Sequence, residues 1–138
     1  MDVLFSIKPQ FVDKILSGEK IFEYRKRGLA DLTQVEWAFI YSCSPRKRIE
    51  AAFPLTQVLV DTPEKIWKQT CSFSGLSEIE FNRYYEGCGR AFAFVVKNLR
   101  VFDIPINPRQ IDEKFRPLQS FCFLKAGILY EELRNLVR

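Results

Sequence analysis

The chain has 138 residues and a mass of 16.2 kDa, the size of one folded domain. Its 47% hydrophobic, 14% aromatic and 28% charged residues exclude a disordered or low-complexity chain. There is no His, which removes Ser–His and Cys–His nucleophilic pairs, the usual zinc sites and a near-neutral imidazole from the available chemistry. The net charge of +4 is uneven: residues 61–86 hold three Lys and Arg against five Asp and Glu, a balance of −2, which leaves +6 on the rest. An anionic partner is expected at the basic body.

Four cysteines, Cys43, Cys71, Cys88 and Cys122, form no CxxC pair. Neither a metal site, a cofactor nor a disulfide framework is expected from them. No basic leader precedes an apolar stretch, and no apolar run approaches the length of a membrane span. A soluble, cytoplasmic protein with reduced thiols and no membrane partner is the expectation.

In chain order, Asp2 to Ile7 reads as a strand ended by Lys8-Pro9. From Pro9, the residues Phe11, Val12, Ile15 and Leu16 recur at helical spacing until Gly18, a natural C-terminal stop. Lys20 to Lys26 alternates, with Phe22 and Tyr24 on one face and Ile21, Glu23 and Arg25 on the other. Val35 to Ser42 is a third strand with Val35, Trp37, Phe39 and Tyr41 sharing a face. Ile49 to Val60 is strand, kink at Pro54, strand.

Two short helices follow in the acidic middle. Thr62-Pro63 opens the first, with Ile66 and Trp67 inward, and Ser77 with Glu80 forms a capping box for the second, through Tyr85. Ala91 to Val96 is apolar on both faces and should be a central strand. Pro105 to Pro117 reads as a surface loop, Ser120 to Leu124 as a strand or turn, and Gly127 to Val137 as a helix. The expected fold is mixed α/β of the α+β kind: one domain over 1–138, strands closing into a small barrel over about 3–124, and a C-terminal helix at 125–138.

Gly18-Glu19-Lys20-Ile21-Phe22-Glu23-Tyr24-Arg25 is the most distinctive stretch. Lys20 sits at the helix-to-strand junction, and Glu23 and Arg25 lie two apart on one strand face, so an amine, a carboxylate and a guanidinium converge at one end of a sheet. The pattern Gly18-x-Lys20-x-x-Glu23-x-Arg25 resembles the GxKxxExR signature of the ASCH domain family. Ser6-Ile7-Lys8-Pro9, Ile40-Tyr41-Ser42-Cys43-Ser44-Pro45 and Pro117-Leu118-Gln119-Ser120-Phe121 are similar to landmarks of the same family. The resemblance covers roughly Val3 to Leu124.

The resemblance implies a PUA-like β-barrel that places RNA or a modified base against one face. It implies RNA-binding coregulators of transcription or translation, and, in some branches, small hydrolases of acetylated cytidine or enzymes that cleave RNA. The amidohydrolase branch carries GxKxxTxR with a Thr nucleophile where Glu23 stands here, and a carboxylate does not replace an alkoxide in acyl transfer.

Around the motif, Lys8, Ser42, Ser44 and the loop Arg46-Lys47-Arg48 offer hydroxyls and cations for phosphate contacts. Gln119 and Ser120 offer amide and hydroxyl groups suited to a base edge. The expected function is RNA or nucleotide binding in a cleft lined by Lys8, Lys20, Glu23, Arg25, Ser42, Ser44, Arg46, Lys47, Arg48, Gln119 and Ser120. One rival is a metal-independent ribonuclease or nucleoside hydrolase, with Lys20 as base or electrostatic stabiliser and Glu23 as general acid/base. The other is a protein-interaction module whose contact is the acidic helices of 62–86.

Overall fold

The computed structural model describes residues 1–28, 34–116 and 120–138. Apolar alternation sorts its strands into two sheets. β1 (Asp2–Ile7), β3 (Trp37–Ser42), β4 (Arg48–Pro54), β7 (Arg100–Ile106) and β8 (Phe121–Leu124) form a five-stranded sheet in the order β7-β4-β3-β1-β8. β2 (Phe22–Arg25), β6 (Ala91–Val95) and β5 (Val58–Asp61) form a three-stranded sheet in the order β2-β6-β5. β1 and β3 are parallel, and the remaining pairs are antiparallel. α1 (Pro9–Ser17) follows β1, with Pro9 opening it and Gly18, at φ +87°, ending it. The other helices are α2 (Pro63–Thr70), α3 (Glu78–Tyr84), α4 (Pro108–Ile111) and α5 (Ile128–Leu136).

Three apolar clusters follow from the period of two. Val3, Phe5 and Ile7 of β1 meet Ala38, Ile40, Ala51, Phe53 and Phe94 between the sheets, with Val12 and Ile15 of α1. Phe5 and Phe94 are fully buried with ring centroids 5.3 Å apart, and truncating either to Ala should cost about 3–5 kcal/mol. Leu4, Phe39 and Tyr41, on the other face, pack beneath Leu129, Leu133 and Val137 of the C-terminal segment. That segment is also tied by Arg134, which donates to Asp2 and Glu36. The outer face of the smaller sheet, Phe22, Tyr24, Ala91, Ala93 and Val95, lies under Ile66, Phe81 and Tyr85.

The capping box of Ser77 and Glu80 forms in both directions, and Ala91–Val95 is central in its sheet as its two apolar faces require. Three expectations are corrected. Arg100–Ile106 is an edge strand that the sequence hid, because its side chains are mostly exposed and Pro105 sits in it. The stretch read as a loop therefore holds the end of β7 and the whole of α4. Val35 packs in the inter-sheet core and not beside Trp37, because it precedes β3 and is outside its alternation. The strands do not join in one continuous ladder: among the described residues the two sheets are separate.

Candidate nucleic-acid interface

The helix stop at Gly18 turns the chain straight into β2. The Gly18 N–H donates to the Ile15 carbonyl and the Lys20 N–H to the Lys14 carbonyl, which fixes Lys20 at the junction. Alternation along β2 then sends Phe22 and Tyr24 into the aromatic cluster under α2 and α3 and leaves Glu23 and Arg25 on the opposite face. All three polar motif residues are buried, Lys20 at 3% exposure and Glu23 and Arg25 at 8% each.

Lys20 Nζ donates to the Ser74 carbonyl at 2.9 Å and lies 4.5 Å from the centroid of the Tyr24 ring and 5.8 Å from that of Phe11. Burial lowers its pKa to about 8; Glu23 pulls it up, while Lys14 and Arg25 press it down further. Arg25 crosses from the small sheet to the large one. Its Nη1 donates to Ser120 Oγ and its Nη2 to the Ser6 carbonyl, both at 3.1 Å, and its guanidinium lies 5.1 Å from the centroid of the Phe5 ring. Arg25 Nε and Glu23 Oε1 are 3.5 Å apart, an ion pair without hydrogen-bond geometry, and among the described residues Nε and Glu23 Oε2 have no hydrogen-bond partner.

These groups wall a cleft of about 970 Å³. Of the expected site residues it brings together Lys8, Lys20, Glu23, Arg25, Ser44, Lys47 and Ser120. Ser42 is fully buried, its Oγ has no hydrogen-bond partner among the described residues, and it does not line the cleft. Arg46 is turned to carboxylates, at 2.8 Å from Asp13 and 3.3 Å from Glu50, and these bonds hold its pKa above the usual guanidinium value. Arg48 donates to the carbonyls of Arg46 and Lys47. Of the three-cation loop, only Lys47 reaches the cleft. Gln119 lies outside the described residues.

Several lining residues escaped the sequence reading. Tyr41 alternates with the core face of β3, but the ladder shifts register between Ile40 and Tyr41, and its side chain serves both the core and the cleft. From α3, Glu80, Arg83 and Tyr84 line the rim, and Lys26 Nζ sits 4.9 Å from the centroid of the Tyr84 ring. Their spacing of three and four, beside the buried Phe81 and Tyr85, was the available signal for a second functional ridge on that helix. The acidic middle therefore supplies one wall of the cleft.

The assembly has the means to hold a polyanion against exposed cations, to stack planar groups on Tyr84, and to present an amine whose pKa burial lowers to about 8. Among the described residues no group of three or more metal-ligating side chains occurs, and no helix is long and apolar enough to cross a membrane.

No protein-family model matches the chain. The ASCH domain-containing ribonuclease of Zymomonas mobilis subsp. mobilis is 30% identical over 140 residues, covering 99% of this chain and 90% of that protein. The crystal structure of ASCH from Zymomonas mobilis superimposes with a TM-score of 0.82 at 28% identity, over 99% of this chain and 93% of that one. A Ser-to-Ala mutant of ZmASCH gives 0.84 at 26% identity, over 98% and 95%. With likeness running along nearly the whole of both chains in sequence and in fold, this chain belongs to the ASCH domain family.

Proposed function

We propose that the protein binds single-stranded RNA in this cleft and cleaves it by attack of the 2′-hydroxyl on the adjacent phosphorus. The observation that carries the reading is Lys20, an amine buried in the cleft wall beside Glu23 and Arg25 whose pKa falls to about 8. The ribonuclease name of the Zymomonas relative supports it. So does the cleft's mixture of cations with the exposed ring of Tyr84, which suits a chain of phosphates and an unstacked base. The two facing sheets are read as an opened PUA-like barrel, braced across its seam by Arg25.

In the reaction, the unprotonated Lys20 accepts the 2′-hydroxyl proton as the 2′-oxygen bonds to phosphorus. The bond from phosphorus to the 5′-oxygen breaks, and that oxygen leaves as a hydroxyl after taking a proton from water or a cleft donor. The products are a 2′,3′-cyclic phosphate and a 5′-hydroxyl end. Using a neighbouring hydroxyl of the substrate makes the attack intramolecular. Arg25, fixed by the Ser6 carbonyl and Ser120, supplies positive charge beside the developing phosphorane. Glu23, 3.5 Å from Arg25 Nε, offsets the positive charge of Lys20 and Arg25.

Because the base must be deprotonated, cleavage in EDTA is expected to rise about tenfold per pH unit below 8 and to level above it. A rate flat from pH 6 to 9 would remove Lys20 from the role of base. Binding is expected to weaken with salt at a slope of roughly −0.7 per phosphate contact. Lys47→Ala should flatten that slope by about one contact, whereas Arg46→Ala, with its charge already engaged by Asp13 and Glu50, should leave it unchanged. Tight binding with no turnover across RNAs would leave a binding role, such as a coregulator of transcription or translation, as the function.

A further inference from the structure

Lys20 does not place itself. The amine's hydrogen-bond partner, Ser74, is 54 residues away in the chain, in the turn that follows α2. That turn, Cys71 to Leu76, begins with a 3₁₀ helix over Cys71–Phe73 and closes onto the α1–β2 junction. The Ile21 N–H donates to the Phe73 carbonyl, Lys20 Nζ to the Ser74 carbonyl, and Lys14 Nζ to the Gly75 carbonyl at 2.9 Å. Ser74 knits the turn internally: its Oγ lies 3.0 Å from the carbonyl oxygens of both Cys71 and Leu76, either of which can accept its single proton, and it accepts from the Leu76 N–H.

Gly75 is the point of closest approach. Its φ is +70°, and a Cβ built there would lie 2.9 Å from Lys20 Cβ and 3.0 Å from both its Cγ and Cδ. The backbone of the turn thus rests along the aliphatic stem of Lys20, where only glycine fits on both conformational and steric grounds. With this cover in place the amine is shut from water on the side away from the cleft, and burial is the largest influence on its titration.

We propose that the Cys71–Leu76 turn is the positioning element of Lys20, with Gly75 and Ser74 acting as positioning residues that hold the amine at the cleft wall. The inference rests on the ribonuclease reading for its catalytic meaning, but its physical content is separate. The charged and titratable groups facing Lys20 are Glu23, Tyr24 and Arg25 of β2 and Lys14 of α1. Neither Gly75 nor Ser74 carries charge, so replacing them changes the cover without changing that set.

The test is a lysine-ammonium NMR titration of the free protein, assigned by the signal missing in Lys20→Met, together with the pH profile of single-stranded RNA cleavage. Gly75→Ala should admit water and move the Lys20 midpoint upward from about 8 by at least one unit, with the cleavage profile following it. Ser74→Ala keeps the main-chain carbonyl that Lys20 uses and loosens the turn, so it reports the same shift if Gly75→Ala does not fold. A shifted midpoint without RNA cleavage in any form would keep the positioning role and refute the ribonuclease reading. Midpoints unchanged in the folded variants, with only Tm lowered, would make the turn a structural brace and overturn the inference.

Discussion

Lys20→Met is expected to stabilise the fold and abolish RNA cleavage. Holding the Lys20 pKa at about 8 against an ordinary 10.5 means that keeping the ammonium charged at neutral pH costs about 3 kcal/mol, an order-of-magnitude figure from 1.36 kcal/mol per unit. Met fills a comparable volume without charge. The variant leaves the Ser74 carbonyl without its donor, which returns about 1 kcal/mol of the gain. A net gain of about 1–2 kcal/mol at pH 7 should raise Tm by several degrees.

The pH dependence supplies the sign. The unfolded chain holds the Lys20 proton up to about 10.5 and the folded one only to about 8, so between those values the unfolded state binds more protons and Lys20 makes stability rise with pH. In Lys20→Met that rise should vanish. Denaturant titrations from pH 7 to 10 measure it directly, and a variant less stable than the parent at pH 7 with an unchanged pH slope would refute this account of the buried amine.

Arg25→Ala should have the opposite effect on stability. It removes the bridge to Ser6 and Ser120, the stack over Phe5, and the guanidinium 3.5 Å from a carboxylate that is itself buried. Stranding one partner of a buried pair typically costs about 3–5 kcal/mol. Arg25→Lys should recover little, because an ammonium cannot reach two acceptors in a plane while lying over a ring. Replacing both charges, as Glu23→Leu with Arg25→Met, should recover much of the stability and none of the activity. Cleavage by Arg25→Lys, at a temperature where it remains folded, should fall at least about 10²-fold. Full activity in the double variant would show that the pair serves the fold alone.

How much of this was legible in the sequence depended on distance along the chain. The α1 helix, its Gly18 stop, the β2 alternation and the Ser77–Glu80 cap are local patterns, and each lies where its own residues dictate. Glu23 and Arg25 could be placed together because a strand puts residues two apart on one face, and Lys20 beside them because the Gly18 stop sets it at the junction where that strand begins. Their depth could not be read, since Ser74, Ser6 and Ser120, which cover or bind them, come from remote segments. Ser42 and Ser44 looked equivalent in the motif, yet the strand carries Ser42 inside and the turn leaves Ser44 in the cleft. Arg46 looked like a free cation because Asp13 lies 33 residues earlier, on a helix that only the parallel β1–β3 pairing brings alongside. The edge strand β7 does alternate Phe102, Ile104 and Ile106 and packs Phe102 and Ile106 inward, but its mostly exposed side chains and Pro105 hid that signal.

The most direct test of cleavage by 2′-hydroxyl attack in this cleft uses a short DNA oligonucleotide containing a single ribonucleotide, incubated with the protein in excess EDTA at pH 8. The account predicts one cut, on the 3′ side of that ribonucleotide, leaving a 2′,3′-cyclic phosphate and a 5′-hydroxyl end, and no cut with Lys20→Met or when the position carries a 2′-deoxy or 2′-O-methyl sugar. Equal cutting of the 2′-deoxy oligonucleotide, or undiminished cutting by Lys20→Met, would contradict it.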